Sequence, residues 1–85
     1  RENLLLIIGY NYLRVNADEA RRTFENFLTE FPKSRQAELA IYGQFLAYER
    51  QNKFQDAQAM FDRLKKEFPR SNLIPQAEQI LPQKK

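Results

Sequence analysis

The stretch ARRTFENFLTEFPKS at residues 20–34 is followed by a second version of itself, AQAMFDRLKKEFPRS, at residues 57–71. Alanine, phenylalanine, proline and serine recur at matching places, and each place in the second stretch lies 37 residues after its counterpart. A period of this size is typical of repeat proteins, in which each supersecondary unit buries its apolar face against the next. Stacked units leave an open concave surface, so the pattern favours a binding scaffold over an enzyme.

Around the repeated stretch, the apolar residues follow a helical period, and no segment alternates as a strand would. We predict five helices, over residues 2–15, 17–31, 35–50, 54–68 and 73–81. Asn16 and Ser34 are the predicted N-caps, and Glu19 is expected to complete a capping box with Asn16. Pro32 and Pro69 end the second and fourth helices, because proline disfavours helix in the residue before it. Short connections make consecutive helices antiparallel, so we predict an all-α fold of two helical hairpins and a C-terminal capping helix.

The long helices each carry one apolar face. Ala20 and Ala57 are small where two helices must approach closely, and phenylalanines fill the space on either side. The residues predicted to face inward are Leu4, Ile7, Ile8 and Leu13 in the first helix; Ala20, Phe24, Phe27, Leu28 and Phe31 in the second; Ala37, Ala40, Ile41, Phe45 and Tyr48 in the third; and Ala57, Met60, Phe61, Leu64 and Phe68 in the fourth.

Composition narrows the possible functions. The chain has 85 residues and contains no cysteine and no histidine, so it lacks disulfides, thiol chemistry and the commonest general base and metal ligand. Its formal charge of +3 is a mild basic excess. The apolar run at residues 4–8 is far shorter than the roughly 20 residues that span a bilayer. The chain opens on Arg1 instead of Met and shows no signal peptide, so we expect a fragment or a processed form.

The second unit resembles a known repeat. Tyr48, Ala57, Phe61 and Pro69 have the spacing of the tyrosine, small residue, aromatic residue and proline of the tetratricopeptide repeat. The chain resembles that family over almost its whole length, with Ile41 at the position of the family's usual tryptophan. The resemblance implies a tetratricopeptide-like α-solenoid.

The chain departs from the family pattern at several points. Asn11 replaces the tyrosine of the first unit, Phe45 occupies a glycine position, and the period is 37 instead of 34. The sequence shows no linker and no low-complexity stretch, so we expect one domain, residues 1–82, followed by a tail at residues 83–85 that we expect to be disordered. Within the domain we place the first repeat at residues 2–34, the second at residues 37–71 and the capping helix at residues 73–81.

The resemblance also implies a binding surface, on the inner face of the first helix of each hairpin. The positions carried over are Leu5, Tyr12, Leu39, Tyr42, Leu46 and Glu49, with Glu2 and Gly9 beside them. These leucines and tyrosines make an unusually apolar surface, and an exposed apolar patch usually marks an interaction site. We expect a concave groove that binds a peptide or helix of a protein partner. The alternative is that the same face packs against another repeat or another copy of the chain.

Two other functions stay open. A structural module could use its exposed faces for self-assembly alone. An accessory binder of nucleic acid or anionic lipid could use the basic residues of the fourth helix and the turn after it, which are Arg63, Lys65, Lys66 and Arg70. Acidic residues are interleaved with these basic ones and no nucleic-acid motif is visible, so a solvated face is the favoured interpretation.

Catalysis is not expected. Glu25, Glu30 and Glu49 are carboxylates without a nucleophile–base arrangement around them. The sequence has no glycine-rich phosphate loop and no cluster with metal-ligand spacing. We therefore predict no enzyme activity, no cofactor and no metal.

The two ends of the array differ. The last helix is partly polar, as a terminal cap should be, whereas the first opens on the apolar residues 4–8. We expect an uncovered apolar N-terminal end, hidden either by preceding repeats or by a second copy of the chain.

The Phe-Pro-x-Ser helix ends and the lengthened period resemble bacterial cell-envelope members of the family, namely outer-membrane assembly lipoproteins and periplasmic Tol-Pal-associated proteins. That resemblance implies a periplasmic or cell-envelope location, with the cytoplasm as the alternative.

Overall fold

The structure, a computed structural model, describes residues 2–81, and that range holds five α-helices and no strand. The helices are α1 (Glu2–Tyr12), α2 (Ala17–Glu30), α3 (Ala37–Arg50), α4 (Phe54–Glu67) and α5 (Leu73–Ile80). Each helix packs against the next along the chain, and α3 also touches α1 and α5. The predicted all-α architecture is therefore confirmed. The predicted tail, residues 83–85, lies outside the described residues.

The helices form two layers. Within residues 2–81, α1, α3 and α5 contact one another in sequence, whereas no Cα atom of α2 lies within 8 Å of one in α4. The molecule measures 39 × 29 × 17 Å, and its shortest dimension suits two layers of helices about 10 Å wide. The first helix of each hairpin therefore lies in one layer and the second helix in the other.

The start of α2 follows the predicted cap only in part. The Asn16 side-chain oxygen accepts a hydrogen bond from the Glu19 backbone N–H at 3.1 Å, as an N-cap does. The reciprocal half of the predicted capping box is wrong, because the Asn16 N–H donates instead to the Tyr12 carbonyl at 2.6 Å. The Glu19 carboxylate lies 3.8 Å from Arg22.

Ser34 organises the turn before α3 and does not cap the helix. Its hydroxyl oxygen accepts from the Gln36 N–H at 3.0 Å, and α3 begins at Ala37, two residues later than predicted. The same hydroxyl donates to Glu2 Oε1 at 2.6 Å, which joins this turn to the start of α1.

Ser71 repeats this arrangement one unit later. Its hydroxyl oxygen accepts from the Leu73 N–H at 3.0 Å, and the hydroxyl donates to the Glu38 carboxylate at the start of α3. Each serine thus ties the entry of one first-layer helix to the entry of the preceding one, and the repeat in sequence is a repeat in hydrogen bonding.

The core consists mainly of the faces predicted for the second, third and fourth helices. Ala20, Phe24 and Ala57 are fully buried, and Phe61 is 4% exposed. The predicted inward orientation of the alanine–phenylalanine pairs is confirmed. The Phe45 and Phe61 rings lie 6.4 Å apart and join α3 to α4.

Two glycines make room for Phe24. A Cβ atom at Gly9 of α1 would lie 2.6 Å from the Phe24 ring, and one at Gly43 of α3 would lie within 2.6 Å of three ring carbons. The edge of the ring also meets Tyr10, at 4.9 Å between centroids and an interplanar angle of 72°. Phe24 is therefore held between α1 and α3, and glycine at positions 9 and 43 permits that close approach.

The predicted inward face of α1 is wrong in most of its members. Leu4, Ile7 and Ile8 are 59%, 58% and 36% exposed, whereas Leu6 and Gly9 are buried. Of the four predicted residues only Leu13, which follows α1 and is 6% exposed, is buried. Residues 4–8 are all apolar, so the helical period does not single out one buried side of α1. In the described part of the chain, α1 also has a second-layer helix on one side only.

Candidate interaction surfaces

Tyr10 fixes the position of α1 relative to α3. Its hydroxyl donates to the backbone carbonyl of Leu39 at 2.6 Å. Burial raises the pKa of Tyr10 well above its usual range, and the nearby Tyr42 contributes to that shift. The phenol therefore stays protonated and serves as a structural donor between the two helices. Sequence reasoning missed this role, since nothing in the local pattern separates Tyr10 from its neighbour Tyr12.

The six predicted partner-binding residues occupy α1 and α3, and we call them the inner face. Leu5 and Tyr12 of α1 are half-buried and pack against the core. On α3, Leu39, Tyr42, Leu46 and Glu49 follow one another at spacings of three, four and three, which places them on one side of the helix. The structure thus brings the α3 members into one row, and contact between α1 and α3 places the α1 pair on the neighbouring helix.

Exposure differs along the inner face. Leu39 is 38% exposed, whereas Tyr42 and Leu46 are half-buried. The Tyr42 ring stacks on Phe45 at 6.0 Å between centroids, and burial raises the pKa of its hydroxyl. The tyrosine is therefore partly supported by the core and partly available to a ligand.

Two residues named beside the inner face are not available there. Gly9 is buried under the Phe24 ring, so the expectation that it lines the groove is wrong. Glu2 has its carboxylate bonded to Ser34 at 2.6 Å.

Glu49 stands out electrostatically among the inner-face residues. Its Oε2 atom is shut off from solvent and has no hydrogen-bond partner within residues 2–81. Burial raises the pKa of this carboxyl. An unpaired buried carboxylate atom costs stability, so Glu49 is a candidate for a role other than holding the fold together.

The second-layer side of the molecule is polar. A groove of about 520 Å³ between α2 and α4 has Gln44 and Tyr48 of α3 among its lining residues. Arg21 lies 3.0 Å from Asp18 and 3.2 Å from Glu25. The Arg21 hydrogen bond lowers the pKa of Asp18. These ion pairs make α2 a charged surface instead of an apolar one.

The basic residues of the fourth helix do not form an isolated cationic patch. Arg63 pairs with Glu67 at 2.9 Å. Lys65 lies 4.7 Å from the centroid of the Phe61 ring, which it covers in a cation–π contact. Asp62 accepts a hydrogen bond from Gln58 at 3.1 Å. The arrangement is that of a solvated helix surface.

The outer side of α1 is an apolar surface at the N-terminal end of the array, where the sequence led us to expect an uncovered apolar end. Leu4, Ile7 and Ile8 were predicted to be core residues and are exposed instead. The 37-residue offset could have revealed the exposure of these residues. It pairs them with Ile41, Gln44 and Phe45 of α3, a helix that packs against both α2 and α4. Beside Leu4 and Leu5, a groove of about 450 Å³ continues to Asn26 and Glu30 of α2.

Residues 2–81 contain no group of three or more candidate metal-binding side chains. None of the helices in this range combines the length and the hydropathy of a membrane-spanning segment.

Comparison with known proteins identifies the repeat. The family described as tetratricopeptide repeat matches residues 4–34 and again residues 40–71. The first match covers most of α1 and all of α2, and the second covers most of α3 and all of α4. No curated protein and no solved structure gave a significant match.

Proposed function

Because this chain belongs to the tetratricopeptide repeat family, whose repeats generally mediate protein–protein interaction, we propose that it is a non-catalytic scaffold. Its inner face binds a peptide or helix of a partner protein in the concave groove. The observation that carries the proposal is the row of Leu39, Tyr42, Leu46 and Glu49 along one side of α3. A tyrosine in such a row offers a partner both an apolar ring and a hydroxyl.

Rigidity supports the same proposal. The Tyr10 hydroxyl holds α1 against the Leu39 carbonyl, and the Ser71 hydroxyl holds the entry to α5 against Glu38. A surface fixed in this way loses little conformational freedom when a ligand binds.

The test selects ligands from a phage-displayed library of helical and extended peptides on the wild-type chain, and then measures their affinity for two variants. Tyr42→Ser combined with Leu46→Ser should weaken binding more than tenfold, because central aromatic and aliphatic contacts carry most of an interface's energy. Arg22→Ser combined with Glu25→Ser is the matched control on an exposed part of α2 and should bind as wild type does.

Thermal melts of both variants complete the test. Lost binding with an unchanged melt supports the groove. Equal binding by the Tyr42→Ser, Leu46→Ser variant would overturn it. A collapsed melt would assign the inner face to packing instead of binding.

The two alternatives give different readouts. A self-assembly module would show concentration-dependent sedimentation of the chain alone, abolished by the same inner-face changes. A nucleic-acid or anionic-lipid binder would lose affinity steeply with added salt. The apolar groove predicts binding that changes little with salt.

We also propose a bacterial cell-envelope location, which rests on the Phe-Pro-x-Ser helix ends at residues 31–34 and 68–71 and on the lengthened period. Fractionation of the source cells with detection by antibody tests it, and recovery from the cytoplasm alone would contradict it.

A further inference from the structure

Gln44 is a buried polar side chain at the centre of α3, where it is 4% exposed. The 37-residue offset pairs it with Ile7 and Leu81, so the matching positions on either side of it in the repeat are apolar. An amide group that is buried without a hydrogen bond costs stability. The position of Gln44 therefore calls for a partner of its amide group.

The fold does not supply that partner. Within residues 2–81, the Gln44 side chain takes part in no hydrogen bond, and neither of its amide atoms is shut off from solvent as the Glu49 Oε2 atom is. Gln44 lines the groove between α2 and α4. Its amide group therefore reaches the floor of that groove, while the rest of the side chain is buried.

The groove is large enough for a ligand. Its volume is about 520 Å³, within the roughly 300–1,000 Å³ of ligand sites and well above the roughly 30 Å³ that one water molecule takes. Leu28 of α2 and Met60 of α4 line it from either side, and both are largely buried. Tyr48 follows Gln44 by four residues and lies on the same side of α3. The groove thus combines an apolar lining with a polar floor.

The charged residues of the groove are already neutralised. Glu25 lies 3.2 Å from Arg21, and Arg63 lies 2.9 Å from Glu67. The other polar residues that line the groove are uncharged. The groove therefore offers no uncompensated charge to an anion or a cation, and it suits a neutral polar ligand.

The chemistry of an amide group favours an extended peptide. A primary amide presents a hydrogen-bond donor and an acceptor side by side, and it pairs well with a main-chain N–H and C=O. Along an α-helix those main-chain groups are bonded to one another. A docked helix would therefore leave the Gln44 amide unpaired, whereas an extended segment carries free main-chain groups that can reach it.

We propose that the groove between α2 and α4 binds an extended, uncharged peptide segment of a partner protein, and that the Gln44 amide pairs with one main-chain peptide group of that segment. Leu28 and Met60 contact side chains of the segment on either side of that pair. By helical spacing, Gln44 lies on the opposite side of α3 from Tyr42 and Leu46. The site is therefore separate from the inner face of the proposed function.

Other parts of a repeat array are poorer occupants. A further repeat stacked against α1 or α5 would extend the array at its ends and would leave the groove between α2 and α4 open. A second copy of the chain offers no extended segment within residues 2–81, which form helices joined by short turns. The occupant is therefore a segment of another protein.

The test pans a phage-displayed library of random linear heptapeptides on the immobilised chain, with soluble Gln44→Leu protein present in excess. The soluble variant removes peptides that bind elsewhere, including those that bind the inner face, so the recovered peptides depend on Gln44. One recovered peptide is then synthesised with a fluorescein label, and its affinity for the chain is measured by fluorescence anisotropy.

We expect Gln44→Leu to weaken binding of this peptide tenfold or more, because leucine leaves a main-chain group of the ligand without a partner. Gln55→Leu is the matched control and should bind as wild type does, since Gln55 is an exposed glutamine of α4 outside the groove. The Tyr42→Ser, Leu46→Ser variant should also bind the peptide, which separates this site from the inner face.

Two further measurements identify the contact. The side-chain amide protons of Gln44 should shift in nuclear magnetic resonance spectra when the peptide is added. Methylation of the peptide's main-chain nitrogens, one at a time, should abolish binding at one position, because the methyl group removes the paired donor. If thermal melts show that Gln44→Leu lowers Tm, Gln44→Met, with an unbranched side chain like that of glutamine, takes its place in the panning and the affinity measurements.

Three results would overturn the proposal. The first is a panning that recovers no peptide, which would mean that water alone satisfies the Gln44 amide. The second is a recovered peptide that tolerates methylation at every main-chain nitrogen, which would mean that it binds through its side chains. The third is a peptide that leaves the Gln44 amide protons unshifted, which would place its binding site elsewhere.

Discussion

Replacing Gly43 by alanine tests the packing of α1, α2 and α3 at its tightest point. The new Cβ would lie within 2.6 Å of three carbons of the Phe24 ring, whereas carbon atoms prefer to be about 3.5–4.0 Å apart. The ring cannot retreat easily, since Phe24 is fully buried and also meets Gly9 and Tyr10. The neighbouring helices must therefore move.

The expected loss comes from two opposing effects. Overpacking a buried site costs about 1–3 kcal/mol. Exchanging glycine for alanine inside a helix returns about 1 kcal/mol. Because three ring atoms are involved, the Gly43→Ala variant should lose roughly 1–2 kcal/mol of unfolding free energy, which corresponds to a fall in Tm of about 4–16 °C for a chain of this size.

Urea and thermal denaturation, followed by circular dichroism at 222 nm, measure the loss. Gly9→Ala is the internal comparison and should lose less, because the three nearest ring carbons there lie at 2.6, 2.7 and 3.1 Å. Phe24→Leu should relieve the clash. The double variant with Gly43→Ala should therefore lose about 0.5–3 kcal/mol less unfolding free energy than the two single losses added together. A Gly43→Ala variant as stable as wild type, or losses that simply add, would refute the packing described here.

Three other substitutions test separate features. Tyr10→Phe removes the donor to the Leu39 carbonyl and should cost about 0.5–1.5 kcal/mol in urea denaturation; an unchanged midpoint would mean that this bond does not hold α1. Glu49→Gln should raise Tm at pH 7, because burial raises the pKa of Glu49 in the fold and its charge therefore costs stability there. That advantage should fade as pH falls through the raised pKa toward 4, and a constant advantage across this range would contradict the assignment. Ala57→Leu should lose about 1–3 kcal/mol of unfolding free energy through overpacking at a fully buried position. A Tm equal to that of wild type would show that α4 is not closely packed against its neighbours at Ala57.

The repeated stretch was sufficient to predict the central part of the fold. Ala20, Phe24, Ala57 and Phe61 recur at the same spacing, and each of α2 and α4 has one apolar side against charged residues on the other. A helix with one such stripe has a single way to bury it, so local pattern and tertiary structure agree.

The α1 helix could not be oriented from its own pattern. Residues 4–8 are continuously apolar, so every direction around the helix looks equally suited to burial. Which of them are buried depends on how many neighbours the helix has, and among the helices of residues 2–81 the second-layer neighbour of α1 is α2 alone. Comparison of α1 with α3 through the 37-residue offset supplies that information, whereas periodicity alone does not.

The glycine contacts were also beyond local pattern. Gly9 and Gly43 are 34 residues apart, out of step with the 37-residue repeat, and so they looked unrelated. They share a function because the Phe24 ring reaches both α1 and α3. The serine bonds to Glu2 and Glu38 likewise join residues more than 30 positions apart, and no short-range rule connects those pairs.

The inner face illustrates how family position and physical exposure differ. Helical spacing places the row from Leu39 to Glu49 along one side of α3, but it does not reveal that Tyr42 rests on Phe45 or that one Glu49 oxygen is buried. These details depend on side-chain packing between helices. They decide which atoms a partner can reach.

The central claim is that Phe24 of α2 is held between α1 and α3, so that matched alanine–phenylalanine faces stack the two hairpins. A nuclear Overhauser spectrum of the isotopically labelled chain tests this directly. The account predicts cross-peaks from the Phe24 ring protons to the α-protons of both Gly9 and Gly43. Cross-peaks to only one of the glycines, or to neither, would contradict it.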